Sequence, residues 1–449
     1  MKKTIFNLLP VNLQQSIRNS KSLQDIILNT SWLFGDKLLR MGVGVIVGIW
    51  VARYLGPEMF GLLNYAMAFV ALFGVVASLG FSGLVVRELV NQPENANTIL
   101  GTAFLLQFLS GILAYILVVV TIILLQPEND LLRLIVMVLG LTLVFKASEV
   151  VKYWFESQVM SKYTVWVENG AFLLMSAAQV LLILYQAPIM GFVWVTVASS
   201  LSVFIGLFAV YIWRAEGSGS WKFNYQRSKT LLRDSWPLLF TGMAIIVYMR
   251  IDQIMLGQML GNSAVGIYSA AVRISEVWYF VPMAIATSVF PSVIKLKDKS
   301  ESKYIASFQK LFNLVVMLGI AVAILVSFFS DWVVTLLFGS EYADAGSVLV
   351  VLIWSGIFVS LGIASSMWLV NENLQKLFLY RSLAGVVVNI VLNLFLIPWI
   401  GVTGAAIGTL LSHFVAAYIF DLFNRKTRAI FRMKTRAFYS YLLVKGREE

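Results

Sequence analysis

The chain has 449 residues and a net charge of +11; 59% of it is hydrophobic and 13% charged, where soluble domains carry about 45–50% and about 25%. It contains no cysteine and one histidine, His413, which excludes disulfides, thiol nucleophiles, thiolate metal sites and multi-histidine metal centres. The positive charge is spread over many loops, so its natural counterpart is the anionic inner leaflet of a membrane and not a nucleic acid.

Residues 1–28, with Lys2, Lys3, Arg18 and Lys21, read as a cytoplasmic lead-in with an interfacial helix around 11–27. No cleavable signal peptide is evident, because the first apolar run starts only near residue 31 and is long enough to span. Twelve apolar segments follow, near 29–54, 62–80, 98–126, 131–151, 165–186, 189–213, 235–258, 264–293, 305–330, 347–370, 382–399 and 402–423. A hydrocarbon core about 30 Å thick needs about 20 apolar residues per crossing helix, so each segment reads as a span. The connections near 187–190, 259–263, 331–346 and 399–402 contain no Lys or Arg. By contrast, 214–233 holds Arg214, Lys222, Arg227, Lys229 and Arg233, and 294–310 holds Lys295, Lys297, Lys299, Lys303 and Lys310. Translocated connections shed positive charge, so this alternation fixes orientation, and the even number of spans places both termini in the cytoplasm. The tail, 424–449, sets Arg425, Lys426, Arg428, Arg432, Lys434 and Arg436 among Ile430, Phe431, Phe438 and Tyr441. That mixture suits a segment on an anionic membrane surface or a soluble basic tail.

The chain repeats itself after six spans. Leu55-Gly56-Pro57-Glu58-Met59-Phe60-Gly61-Leu62-Leu63 returns as Leu260-Gly261-Asn262-Ser263-Ala264-Val265-Gly266-Ile267-Tyr268, displaced by 205 residues, between the first two spans of each half. A weaker echo aligns Gly191, Thr196 and Ser199 with Gly404, Thr409 and Ser412. Six crossings return the chain to its starting side, so the halves share orientation, and transport sites commonly lie where such halves meet. The expected fold is therefore an all-α integral membrane protein of about 12 transmembrane helices in two pseudo-symmetric six-helix bundles around a central lumen. The bundles are 29–213 and 235–423, joined by a cytoplasmic linker, 214–234, that contains Gly217 and Gly219.

Ionisable groups inside hydrocarbon cost several kcal/mol and normally face a cavity or a partner. The first span carries Asp36, Lys37 and Arg40, with Arg53 at its outer end; the fifth carries Glu168, the seventh Arg250 and Asp252, and the eighth Arg273 and Glu276. At about 1.5 Å of rise per residue, Arg250 and Arg273 lie about 12 and 14 Å from the outer ends of their spans. Arginine grips phosphate with two parallel hydrogen bonds, so Arg250, Arg273, Arg40, Arg53 and Lys37 are candidates for contacting an anionic head group. Local pairing of Asp36 with Arg40 or of Arg273 with Glu276 is the competing account. Asp252, Glu276, Asp36 and Glu168 are candidates for a coupling proton or sodium ion. Lys146, Glu149, Lys152 and Glu156 form a stripe best read as salt-bridged, and His413 reads as a packed helix residue. No external connection is long enough to hold an active-site domain, which argues against a glycan polymerase or glycosyltransferase, and no cofactor is expected.

Asn29-Thr30-Ser31-Trp32-Leu33, with Asp36-Lys37-Leu38-Leu39-Arg40, resembles the opening helix of bacterial polysaccharide flippases of the O-antigen (Wzx) type. Ala52-Arg53-Tyr54-Leu55-Gly56-Pro57-Glu58, Val86-Arg87-Glu88-Leu89, Leu337-Phe338-Gly339-Ser340-Glu341-Tyr342 and Gly401-Val402-Thr403-Gly404-Ala405-Ala406 extend the resemblance over about 29–423. It implies a transporter of the multidrug/oligosaccharidyl-lipid/polysaccharide superfamily in the bacterial inner membrane. The implied substrate is a polyprenyl-diphosphate-linked oligosaccharide, with other glycan-assembly membrane proteins as further partners. Such proteins carry cationic lumen residues, a role for which Arg40, Arg53, Arg250 and Arg273 are placed. The related peptidoglycan-precursor flippases generally have fourteen spans, against twelve here. An ion-coupled multidrug exporter is the alternative within the same superfamily.

Overall fold

The computed structural model describes residues 21–214, 220–297 and 299–443. Most of the expected lead-in (1–20), Gly217 and Gly219 of the linker, and 444–449 of the tail lie outside the described residues. The chain is all-α and crosses the membrane many times. Helix α1, Lys21–Ser78, has 58 residues and would be about 87 Å long if straight, nearly three hydrocarbon thicknesses. It is broken at Gly56, whose φ of 68° and ψ of 171° suit only glycine, and Pro57 opens the next helical turn. Two spans are thus joined without a loop.

Then follow α2 (Ser82–Asn91), α3 (Ala96–Leu125), α4 (Asp130–Phe145), α5 (Glu149–Ser157), α6 (Lys162–Leu184) and α7 (Ile189–Arg214). The remaining helices are α8 (Tyr225–Met259), α9 (Asn262–Lys297), α10 (Glu301–Phe338), α11 (Ala345–Asn371), α12 (Gln375–Ile400), α13 (Val402–Phe423) and α14 (Arg428–Leu443). Among the described residues, ten helical runs are long and apolar enough to cross a membrane. The first of these holds both spans around Gly56. Helix α9 is more polar, but its 36 residues exceed the length of a crossing.

Two compact units emerge, one from Met1–Gly48 and Phe69–Met243, the other from Ile49–Ala68 and Ala244–Glu449. The sequence assigns 49–68 to the first bundle and ends that bundle at 213. In the structure 49–68 packs within the second unit, and the division falls inside α8. The repeated motif lies at that contact. In the second unit, a Cβ on Gly61 would collide with the carbonyl of Asn262, and a Cβ on Gly266 with the carbonyl of Pro57. The 205-residue displacement maps Pro57 onto Asn262 and Gly61 onto Gly266, so the two copies touch reciprocally, as a two-fold contact requires. Glycine at both positions lets the helix starts meet backbone to backbone.

The other motifs have local causes as well. Tyr342 is fully buried and donates to the Ala52 carbonyl at 2.8 Å, clamping the end of the first span within the second unit. Tyr342→Phe should cost about 1 kcal/mol, read as a lower midpoint in thermal unfolding of the purified protein. In the first unit Glu88 pairs with Arg227 at 3.4 Å, and Arg87 lies 4.0 Å from Asp234. The Val86–Leu89 stretch is thereby tied to the start of α8.

Within its described residues, the tail packs its apolar face into the protein. Ile430, Met433 and Ala437 of α14 are buried in a core shared with Phe308, Phe312 and Val316 of α10. Phe431 and Phe438 pack against Tyr418. Arg425, Lys426, Arg428, Arg432 and Arg436 remain exposed. Lys434 is fully buried, pairs with Asp421 at 2.7 Å and donates to the Ala417 carbonyl at 2.6 Å. Ala417 belongs to a π-turn, Val415–Ile419, in α13. Burial pushes the Lys434 ammonium down to about 8; Asp421 opposes the shift and Arg381 adds to it.

Candidate functional site

The second unit holds most of the charges the sequence singled out. Arg250 and Asp252 are two residues apart on α8, about 200° around the helix, and face different surroundings. Arg250 meets α9, where it interacts electrostatically with Arg273 and Glu276. Arg273 also lies over the ring of Phe60, 5.6 Å from its centre. The Arg273–Glu276 ion pair of the competing account does not form: among the described residues none of the three charges makes a direct salt bridge. Two guanidiniums and one carboxylate thus lie within electrostatic reach of one another. Arg53, in the same unit, is exposed near Gly339.

Asp252 turns inward and is 4% exposed. Its Oδ2 accepts from the Tyr268 hydroxyl at 2.7 Å and the Thr409 hydroxyl at 2.6 Å, and its Oδ1 from Asn393 Nδ2 at 2.6 Å. Asn389, one turn earlier on α12, accepts from the same Nδ2 at 3.3 Å. Asn393 Oδ1 and Asn389 Nδ2 are buried without a partner among the described residues. A flip of the Asn393 amide would turn its orphaned oxygen toward Asp252, making a cluster of carboxylate, amide and hydroxyl oxygens suited to a small hard cation. Asp252 borders a cavity of about 340 Å³, also lined by Glu276, Tyr248, Tyr279, Arg381 and His413. His413 Nδ1 shares a 2.8 Å hydrogen bond with the Tyr248 hydroxyl, in keeping with a packed helix residue.

In the first unit the candidates neutralise one another. Arg40 pairs with Asp36 at 2.7 Å and Glu168 at 3.3 Å, and Glu168 also takes Lys152 at 3.1 Å. Two carboxylates and two cations balance within that network: the local Asp36–Arg40 pair of the competing account forms, and Glu168 of α6 joins it from 128 residues away. Lys146–Glu149 at 3.4 Å continues the expected salt-bridged stripe. Lys37 is exposed on α1.

Sequence reasoning passed over Arg381, Asn389 and Asn393. The eleventh apolar run was bounded at 382, one residue past Arg381, whereas α12 begins at Gln375. The asparagines carry no charge, but their four-residue spacing within an apolar run was a usable signal.

A family model described as "Polysaccharide biosynthesis protein" matches residues 26–297, and one described as "MatE" matches 237–395. The chain is 28% identical over 190 residues to a probable low-salt glycan biosynthesis flippase, Agl15, of Haloferax volcanii, a match covering 42% of this chain and 40% of that protein. It is 22% identical over 417 residues to the capsular polysaccharide biosynthesis protein CapF of Staphylococcus aureus, covering 89% of this chain and all of that one (100%). Among solved structures, the lipid II flippase MurJ in an inward closed conformation gives a TM-score of 0.68 at 15% identity, covering 93% and 92% of the two chains. An inward-facing multidrug resistance MATE family transporter gives 0.67 at 13% identity, covering 88% and 95%.

Proposed function

Because the chain belongs to the polysaccharide biosynthesis protein family, we propose that it turns a lipid-linked glycan from one membrane leaflet to the other. The observation that carries this reading is the cluster of Arg250, Arg273 and Glu276, two guanidiniums to one carboxylate with no direct salt bridge among the described residues. A diphosphate that leaves water loses hydration worth several kcal/mol or more, and paired guanidiniums replace it with charge-assisted hydrogen bonds. The glycan-flippase and capsule-biosynthesis names of its relatives agree with a sugar cargo.

In finer terms, the substrate is a polyprenyl-diphosphate oligosaccharide of the O-antigen type, moved outward across the cytoplasmic membrane by alternating access. Both chain termini lie in the cytoplasm, and the exposed cations of α14 face anionic lipid. A proton or sodium ion held at Asp252 couples the cycle to a gradient. Arg53 extends the cationic path outward, while Arg40 holds the first unit together.

Reconstitution tests this reading. In liposomes carrying a fluorescent polyprenyl-diphosphate oligosaccharide, the wild type should expose the head group on the opposite leaflet faster than empty liposomes do. Arg250→Ala/Arg273→Ala should reduce that rate at least about tenfold, as expected for the loss of charge-assisted contacts. Persistent flipping in the double variant would remove the site. No flipping by the wild type, with export of a cationic dye, would replace the function with multidrug transport.

A further inference from the structure

We propose that the cavity in the second unit is a binding site for an amphipath with a single anionic head, a phosphate monoester or carboxylate, held at Arg381 and with an apolar body along the cavity wall. This site is separate from the Arg250–Arg273 pair and does not depend on the glycan reading.

The first ground is charge. Arg381 is 4% exposed, Asp421 1% and Lys434 0%, and electrostatic interaction links the three. Asp421 is the one carboxylate among them, and Lys434 holds it at 2.7 Å. Arg381 makes no salt bridge among the described residues. The group therefore buries a net charge of one cation, which is costly unless a counter-ion arrives.

The second ground is bonding capacity beside an open volume. Arg381 has five N–H donors and uses two, from Nη1 to Ser365 Oγ at 2.8 Å and from Nη2 to the Gly362 carbonyl at 3.1 Å. Both acceptors are neutral and fix the guanidinium on α11. The rest of its donor capacity belongs to a side chain that lines the cavity. With its head satisfied, an amphipath would find Phe378, Phe358, Val359, Ile363 and Ile245 for its body. The volume of about 340 Å³ is near the low end for ligand pockets, about 300–1,000 Å³, and suits a short chain or the first units of a longer one.

The third ground is polarity along the cavity. Thr409, bonded to Asp252, and Ala417, bonded to Lys434, are eight residues apart on α13, about 12 Å along the axis. Both residues line the cavity. On α12, Arg381 likewise precedes Asn393, which donates to Asp252, by twelve residues, about 18 Å along the axis, so the carboxylate end is well separated from the Arg381 end. Asp252 already receives three donors, and Glu276 answers to Arg250 and Arg273. An anion is drawn to the Arg381 end, and a second negative charge is repelled from the other. One head and an apolar body fit that division.

Binding to the purified full chain in detergent tests the site, with geranyl phosphate as probe and isothermal calorimetry as readout. Geranyl phosphate should bind at least about tenfold more tightly than geraniol, inorganic phosphate or geranyl trimethylammonium, the scale of a charge-assisted contact combined with apolar burial. Arg381→Gln should lose that preference and Arg381→Lys should keep part of it. Val359→Trp, which fills the cavity and leaves the charges intact, should weaken geranyl phosphate alone. Arg250→Ala/Arg273→Ala should bind it as the wild type does. The proposal is overturned if geraniol binds as tightly, if bare phosphate competes equally, or if the cation is preferred. It is equally overturned if binding is lost in the Arg250/Arg273 variant while Arg381→Gln retains it. The probe comparison on the wild type stands even if a variant fails to fold.

Discussion

Asp252→Asn should abolish the response of flipping to an imposed sodium or proton gradient while leaving the protein folded and in the membrane. Asparagine preserves the size of the side chain and can still accept from Tyr268 and Thr409, now 2.7 and 2.6 Å from Asp252 Oδ2. It removes the one formal charge of the cluster and turns an acceptor edge into a donor facing Asn393 Nδ2. Both changes disfavour a cation. Coupling free energies of about 1–3 kcal/mol correspond to factors of about 5–150, so the gradient-driven acceleration should fall by a factor in that range. Sodium and proton gradients applied separately in liposomes identify the ion, because the wild type should answer to one of them and the variant to neither. Glu276→Gln is the control: it removes the other deep carboxylate of the same cavity and should leave the gradient response in place. A variant that still follows the gradient would remove Asp252 from the coupling mechanism.

Gly266→Val should block transport by wedging apart the two copies of the repeated motif. The added side chain would have to occupy the space of the Pro57 carbonyl, and the neighbouring atoms there are backbone, which cannot swing away. Overpacking of this kind costs about 1–3 kcal/mol or more, enough to reduce conformations containing the contact by about 5–150-fold. Gly61→Val should act in the same direction, because Gly61 meets the Asn262 carbonyl in the reciprocal half of the contact. The chain has no native cysteine, so Glu58→Cys and Asn262→Cys would be its only thiols, at side chains now joined by a 3.1 Å hydrogen bond. A short thiol crosslinker should join them efficiently, and at least about fivefold less so when Gly266→Val is added. Undiminished crosslinking would show that the close approach tolerates a side chain.

Legibility in the sequence followed the reach of the forces involved. Spans and the repeated motif were readable because each depends on a property of consecutive residues: apolar length against bilayer thickness, and recurrence of one glycine-containing stretch. The adjacency of Arg250 and Arg273 was readable too, since rise per residue sets depth when two helices are joined by a short turn. The fates of Arg40 and Asp252 were not. Both are charged residues within apolar runs, yet Arg40 is neutralised by Glu168, 128 residues away, while Asp252 is enclosed by Asn393 and Thr409, 141 and 157 residues away.

The tail shows the same division. Its basic composition predicted the exposed stripe Arg425, Lys426, Arg428, Arg432 and Arg436, but not the burial of Lys434 against Asp421. By itself the sequence determined that this protein is a helical, multi-pass membrane protein with a repeated glycine-containing motif and with charges inside its apolar runs. Only the tertiary structure decided that the 49–68 segment packs within the second unit, which charges are neutralised, and that Arg381 stands beside a cavity with no direct salt bridge among the described residues. Hydrophobic length and charge bias act residue by residue along the chain, whereas pairing and burial depend on groups brought together from distant positions.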